Sequence, residues 1–107
     1  MQTPKVRVGP AARRDIDRQV IWFAAQAGED TARRFAAAVV GSFAKLASSP
    51  ETGSPQPSRD PMLAGLRKGR VAGFPKLLIF YLPQKDGIRV VRLFHAAQDW
   101  VAALDLD

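Results

Sequence analysis

The chain has 107 residues, 47% of them hydrophobic, and carries 16 lysines and arginines against 10 acids for a net charge of +6. This length suits one domain over 1–107 with one core and excludes two. It has no cysteine, which excludes disulfides, thiolate zinc sites and cysteine nucleophiles, and no apolar run nears the roughly 18 residues of a membrane span, so a cytoplasmic protein without a membrane partner is expected.

Lys5-Val6-Arg7-Val8 alternates polar and apolar residues, the pattern of a short half-buried strand, and Gly9-Pro10 ends it with a proline suited to a first helical turn. From Ala12 the apolar positions Ala12, Ile16, Val20, Phe23, Ala24 and Ala27 recur every three or four residues, so an amphipathic helix runs to Gly28. Asp15 and Asp17 stand two apart on this helix, point in different directions, and read as a solvated helix surface. Asp30 or Thr31 can cap a second helix with the stripe Ala32, Phe35, Ala36, Val39, Phe43, Leu46 and Ala47. The short gap between the two helices dictates a helical hairpin.

Pro50, Pro55, Pro57 and Pro61 with Gly53 forbid a helix or central strand over 48–61, so a long internal loop is expected there. Strands follow over 66–71, 76–82 and 88–94. The run from Leu77 to Leu82 is continuously apolar, as in a central strand, and Pro83 is expected to stop it. Gln84-Lys85-Asp86-Gly87 offers an Asp-Gly turn between two strand-like runs, the signal of an antiparallel hairpin. Ala97, Trp100, Val101 and Leu104 have helical spacing. The predicted fold is α+β in the order β-α-α-β-β-β, with a helical hairpin packed on one face of an antiparallel sheet and a short C-terminal helix.

The charge is unevenly placed. Residues 59–95 hold Arg59, Arg67, Lys68, Arg70, Lys76, Lys85, Arg89 and Arg92 against only Asp60 and Asp86, while bases and acids cancel over the remaining residues. If that segment forms one face, the field is lopsided and calls for an acidic partner, either a protein or nucleic acid. The sequence has one histidine and no glycine-rich phosphate loop, which excludes multi-histidine metal sites, and no metal or cofactor is expected. Arg67, Lys68, Arg70, Arg89 and Arg92, with His95 at the end of the last strand, could clamp phosphates if they converge. An arginine with a histidine could further support RNA cleavage. Alternation on a strand sends neighbours to opposite faces, so Arg89 and Arg92 share one only if the strand is bulged.

Three runs in order, Pro61-Met62-Leu63-Ala64-Gly65-Leu66-Arg67, Gly73-Phe74-Pro75-Lys76-Leu77-Leu78-Ile79-Phe80-Tyr81 and Val91-Arg92-Leu93-Phe94-His95-Ala96-Ala97-Gln98-Asp99, resemble the RelE/ParE superfamily of bacterial type II toxins. The likeness extends to the helical half, through Ala11-Ala12-x-x-Asp15-Ile16, Ile21-Trp22-Phe23, Phe35 and Phe43. The runs are closest to the ParE branch, in which Gly-Leu-Arg, Phe-Pro-x-x-x-x-x-Tyr and a Leu-His-Gly-Ala-Arg-Asp-like ending recur. Here alanine replaces the glycine of that ending and Gln98 its arginine.

The ParE resemblance implies a toxin that poisons DNA gyrase by binding, without catalysis, and is neutralised by a cognate acidic antitoxin in a toxin–antitoxin hetero-oligomer. Growth inhibition and plasmid or chromosome stability would follow. The partner-binding residues would be Arg67, Lys68, Arg70, Arg89, Arg92, His95 and Trp100, with free nucleic acid less favoured as a partner, and the helical hairpin would take the antitoxin's helix. The alternative is a RelE-like ribosome-dependent mRNA endonuclease using Arg67, Arg70, Arg92 and His95. Against it, Tyr81 is the only tyrosine and falls in the central strand, and Trp100 stands where a terminal acid or base is wanted.

Overall fold

The computed structural model describes residues 3–106. Strand β1 (Lys5–Val8) leads into helix α1 (Pro10–Ala27) and then α2 (Glu29–Ser48). A two-residue edge strand β2 (Ser54–Pro55) precedes β3 (Arg67–Val71), β4 (Phe74–Gln84), β5 (Gly87–His95) and the short helix α3 (Trp100–Ala103). The α+β order matches the sequence reading. The sheet runs β1-β5-β4-β3-β2; it is antiparallel except at β1, which joins β5 in parallel. The hairpin α1–α2 carries the chain across one face from the β1 edge to the β2 edge.

The hairpin turns on a single residue. Gly28 lies between the helices at φ +93°, a conformation glycine adopts without strain, and serves as the N-cap of α2 with no side-chain cap. The expected cap from Asp30 or Thr31 is absent because both residues already lie inside the helix. Glu29 and Asp30 instead occupy its first turn, where negative charge suits the helix dipole, and both reach Arg33.

Strand β4 divides the core. Leu77, Ile79 and Tyr81 face the helices and pack with Phe35, Val39, Phe43, Ile88, Val90 and Leu93. Leu78 and Phe80 face the other way and pack with Leu66, Phe94, Leu104 and Leu106. Burial on both faces is why this strand reads as a continuous apolar run. The outer face is therefore covered by the C-terminal segment, with Ser58 Oγ donating to the Leu104 carbonyl at 2.7 Å to fasten it. It is not the open basic surface that the charge pattern suggested.

Two sequence expectations about proline are revised. Pro83 does not stop β4, which continues to Gln84. The two-residue turn Lys85-Asp86 is closed by the pair Gln84 and Gly87, so Pro83 opposite Ile88 falls at a position whose nitrogen faces away from β5. On that side β3 has already ended, its last partner being Tyr81, and no ladder bond is lost. Pro55 likewise sits in β2 at the sheet edge, where a missing N–H is tolerated.

Two side chains fasten the ends of the sheet. Asp86 accepts from both terminal guanidinium nitrogens of Arg7 at 3.0 and 2.9 Å, and these bonds hold its carboxyl below the ordinary carboxylate value. Gly87, at φ +154°, lets β1 pass close by, since a Cβ there would overlap the Lys5 backbone. At the other edge Tyr81 donates to the Pro50 carbonyl at 2.6 Å and accepts from Gly53 N at 2.9 Å, pinning the proline-rich loop to the sheet. Burial raises the Tyr81 pKa above its ordinary 10.0.

Because Tyr81 is the sole tyrosine, its tyrosinate absorbance can be followed alone. We expect it to ionise above 10.0 in the folded protein and to return to its ordinary value in denaturant. The stabilising contribution is fully present below the unfolded pKa and is lost as pH rises through the folded one. Tyr81→Phe should remove that alkaline loss and cost about 1–3 kcal/mol in denaturant unfolding, because the buried Gly53 N–H and the part-buried Pro50 carbonyl lose their partner.

Candidate functional site

The basic strand residues divide between the two faces. On β3, Lys68 is opposite Phe80 and Arg70 opposite Leu78, both on the outer face, whereas Arg67 is opposite Tyr81 on the helix side. On β5 the register shifts as Phe80 pairs with Arg92 and Tyr81 with Val90, leaving Val91 as an extra residue. This bulge brings Arg89 and Arg92 to the outer face together, which strict alternation would forbid. His95, opposite Leu77, falls on the inner side. The expected convergence of all these residues with His95 is not found.

Several of them are held by the protein itself. Lys68 Nζ lies 5.0 Å from the centroid of Trp100, Trp100 packs on Phe80 at 5.3 Å, Phe80 on Phe94 at 5.8 Å, and the Arg92 guanidinium lies 4.4 Å above Phe94. This stack, with a cation at each end, crosses β3, β4, β5 and α3 and satisfies the quadrupoles of its rings. Arg67 donates to the Gly53 carbonyl at 2.6 Å and to that of Glu51 at 3.1 Å. Of the seven predicted residues, Arg70 and Arg89 are exposed cations with no ion pair or hydrogen bond among the described residues.

Arg92 has a further partner that the sequence reading placed in solvent. Asp15 is 6% exposed. Its carboxylate accepts from Arg92 Nε at 2.7 Å, from Arg92 Nη2 at 3.0 Å and from the backbone N–H of Leu93 at 3.0 Å. These charge-assisted bonds raise the Arg92 pKa above an already high value. The available signal was its position: three residues after Ala12 and next to Ile16, Asp15 borders the buried stripe of α1.

On the inner side a cavity of about 750 Å³ opens between α1, the β3–β4 turn and the end of β5. Its apolar lining includes Phe23, Phe74 and Leu77, and the two rings pack with the fully buried Phe35 behind them, with centroids 4.9 to 5.3 Å apart. Trp22, 55% exposed, forms one wall, packed edge-on against Phe23 at 5.3 Å. Arg18, Lys76 and His95 also line it. His95 Nδ1 accepts from the Ala97 N–H at 3.0 Å, so in the neutral ring the proton is on Nε2. The sequence reading missed this cleft, although Trp22 stands outside the buried stripe of α1 and so signals an exposed aromatic.

A family model described as the ParE toxin of type II toxin-antitoxin system, parDE, matches residues 6–100. The fold is similar to that of a solved structure titled "Chromosomal ParDE TA system from P. aeruginosa", with a TM-score of 0.68 and 16% identity, covering 87% of this chain and 96% of that one. No curated protein matches in sequence.

Asp15→Ala should lower stability by about 2–4 kcal/mol, since it leaves a partly buried guanidinium and a buried N–H without their acceptor. Thermal and denaturant unfolding measure this. Asp15→Asn, which keeps an acceptor for Leu93 N but loses the charge, should fall between. Equal stability of all three proteins would show that the carboxylate does not secure the strand.

Proposed function

The chain belongs to the ParE toxin family of type II toxin–antitoxin systems, and from that premise we propose that it acts by binding DNA gyrase, without catalysis of its own, and is neutralised by a cognate acidic antitoxin. The observation that supports binding over RNA cleavage is the division of the four residues the nuclease reading needs. Arg70 and Arg92 are on the outer face, Arg67 and His95 on the inner one. Even the inner pair is separated by four residues along β4, about 13 Å at the usual rise per residue. His95 also presents a nitrogen that carries a proton in the neutral ring, a hydrogen-bond donor and not a ready base.

Within this reading, Arg70 and Arg89 are the outward cations of the outer face and would contact the target. Lys68, Arg92 and Trp100 maintain the surface between them through the aromatic stack. Separate cations at the margins of a covered face form no continuous basic track, which favours a protein partner over free nucleic acid. The toxin and antitoxin would form a hetero-oligomer in the cytoplasm; among the described residues no helix is long and apolar enough to cross a membrane.

Purified protein should inhibit gyrase supercoiling or trap cleaved DNA while leaving mRNA intact in a translation reaction, and added antitoxin should reverse the effect. Cleaved mRNA with unaffected gyrase would overturn the reading. Arg70→Glu combined with Arg89→Glu should weaken gyrase inhibition about tenfold with unchanged thermal stability, as expected for reversal of two exposed charges at an interface.

A further inference from the structure

We propose that the protein engages its target at a recess beside the Val91 bulge, where Met62 packs into an acidic surface of the target, the recess receives one bulky apolar side chain in return, and Arg89 meets a carboxylate. This inference rests on the reading of the chain as a toxin that acts by binding, and gives that binding a centre.

The recess is a product of the bulge. The extra residue in β5 leaves Arg89 and Arg92 on the outer face with Val91 only partly buried between them. Strand β1 ends at Val8, so the space beside the bulge is bordered by the turn into α1, residues 9–11, and by Met62 and Leu63. The result is a cavity of about 250 Å³ whose apolar lining includes Leu63, Leu82 and Val91.

Met62 stands at this cavity and is 80% exposed, more than any other large apolar side chain among the described residues. It is held out by its backbone. Pro61 starts the short turn Pro61–Leu63, the Asp60 carboxylate accepts from the Met62 N–H at 2.9 Å, and the Asp60 carbonyl accepts from the Leu63 N–H at 2.9 Å. A backbone ordered in advance lowers the entropy lost on binding, while the unbranched thioether side chain adapts to the surface it meets. A protruding apolar side chain beside an apolar hole is the arrangement from which interface centres are built.

Size and charge select the occupant. The cavity is smaller than the roughly 300–1,000 Å³ of small-molecule sites, and suits a single side chain. Among the described residues no carboxylate lines it, Arg92 is already neutralised by Asp15, and Arg89 is exposed without an ion pair. The uncompensated charge at the recess is therefore positive, and a partner carboxylate complements it. A second copy of this chain suits it poorly, because a molecule of net charge +6 would bring like charge to Arg89. A nucleic-acid strand finds no aromatic ring in the lining on which to stack a base.

The test uses the whole toxin with purified gyrase and purified antitoxin. Met62→Asp should raise the concentration that half-inhibits supercoiling about 10–30-fold, as expected for loss of a central contact. Met62→Leu, which keeps the apolar bulk, should restore all but about threefold of it. Ala11→Phe, which narrows the recess from α1, should cost about tenfold. Thermal unfolding of the Met62 variants and their binding to the antitoxin should match wild type, since the side chain is exposed. Full inhibition by both Met62→Asp and Ala11→Phe proteins overturns the recess assignment and leaves the toxin reading intact. Absence of inhibition by the wild-type protein overturns the gyrase reading itself. Loss of antitoxin binding by Met62→Asp, with gyrase inhibition retained, would assign the recess to the antitoxin and overturn the proposal.

Discussion

The carboxylate of Asp15 solves a problem set by the length of β1. That strand covers β5 only from Gly87 to Val90, and Gly9 N continues the contact with a 2.9 Å bond to the Val90 carbonyl before Pro10 turns the chain into α1. From there the edge of β5 would be open, with the Leu93 N–H facing an apolar helix. Asp15, arriving one and a half turns into α1, supplies the acceptor at 3.0 Å and takes the Arg92 guanidinium in the same carboxylate. One side chain thus closes the sheet edge, fixes α1 against it and neutralises the charge such burial would otherwise leave unpaired. The bulge at Val91 belongs to the same arrangement, because it turns Arg92 toward the face where its guanidinium can both meet Asp15 and lie on Phe94.

How much of this could be read beforehand depends on the range of the forces involved. The helices, the central strand and the Asp-Gly hairpin follow from periodicity and turn chemistry, which act within a few residues. Asp15 was misread because its partner is 77 positions away and a carboxylate at the border of an amphipathic stripe is ambiguous by spacing alone. Pro83 was misread for a related reason: whether a proline ends a strand depends on which neighbour is present at that height, and β3 has already stopped. The covering of the outer face by Leu104 and Leu106 was legible only as helical spacing near the C-terminus, since the sheet face that they bury is assembled from β3, β4 and β5.

The positive charge shows the same distinction. As a count it suggested one basic surface. In three dimensions the strand half divides by function: Arg67 ties a loop, Lys68 and Arg92 cap an aromatic stack, and Arg7 in β1 takes up Asp86. Side chains tied in this way lend rigidity to the surface more than reach toward a partner. The cations left exposed without such ties are fewer than the count suggested, and on β3 and β5 they are Arg70 and Arg89, so the field of the strand half is weaker and more scattered than its net charge implies.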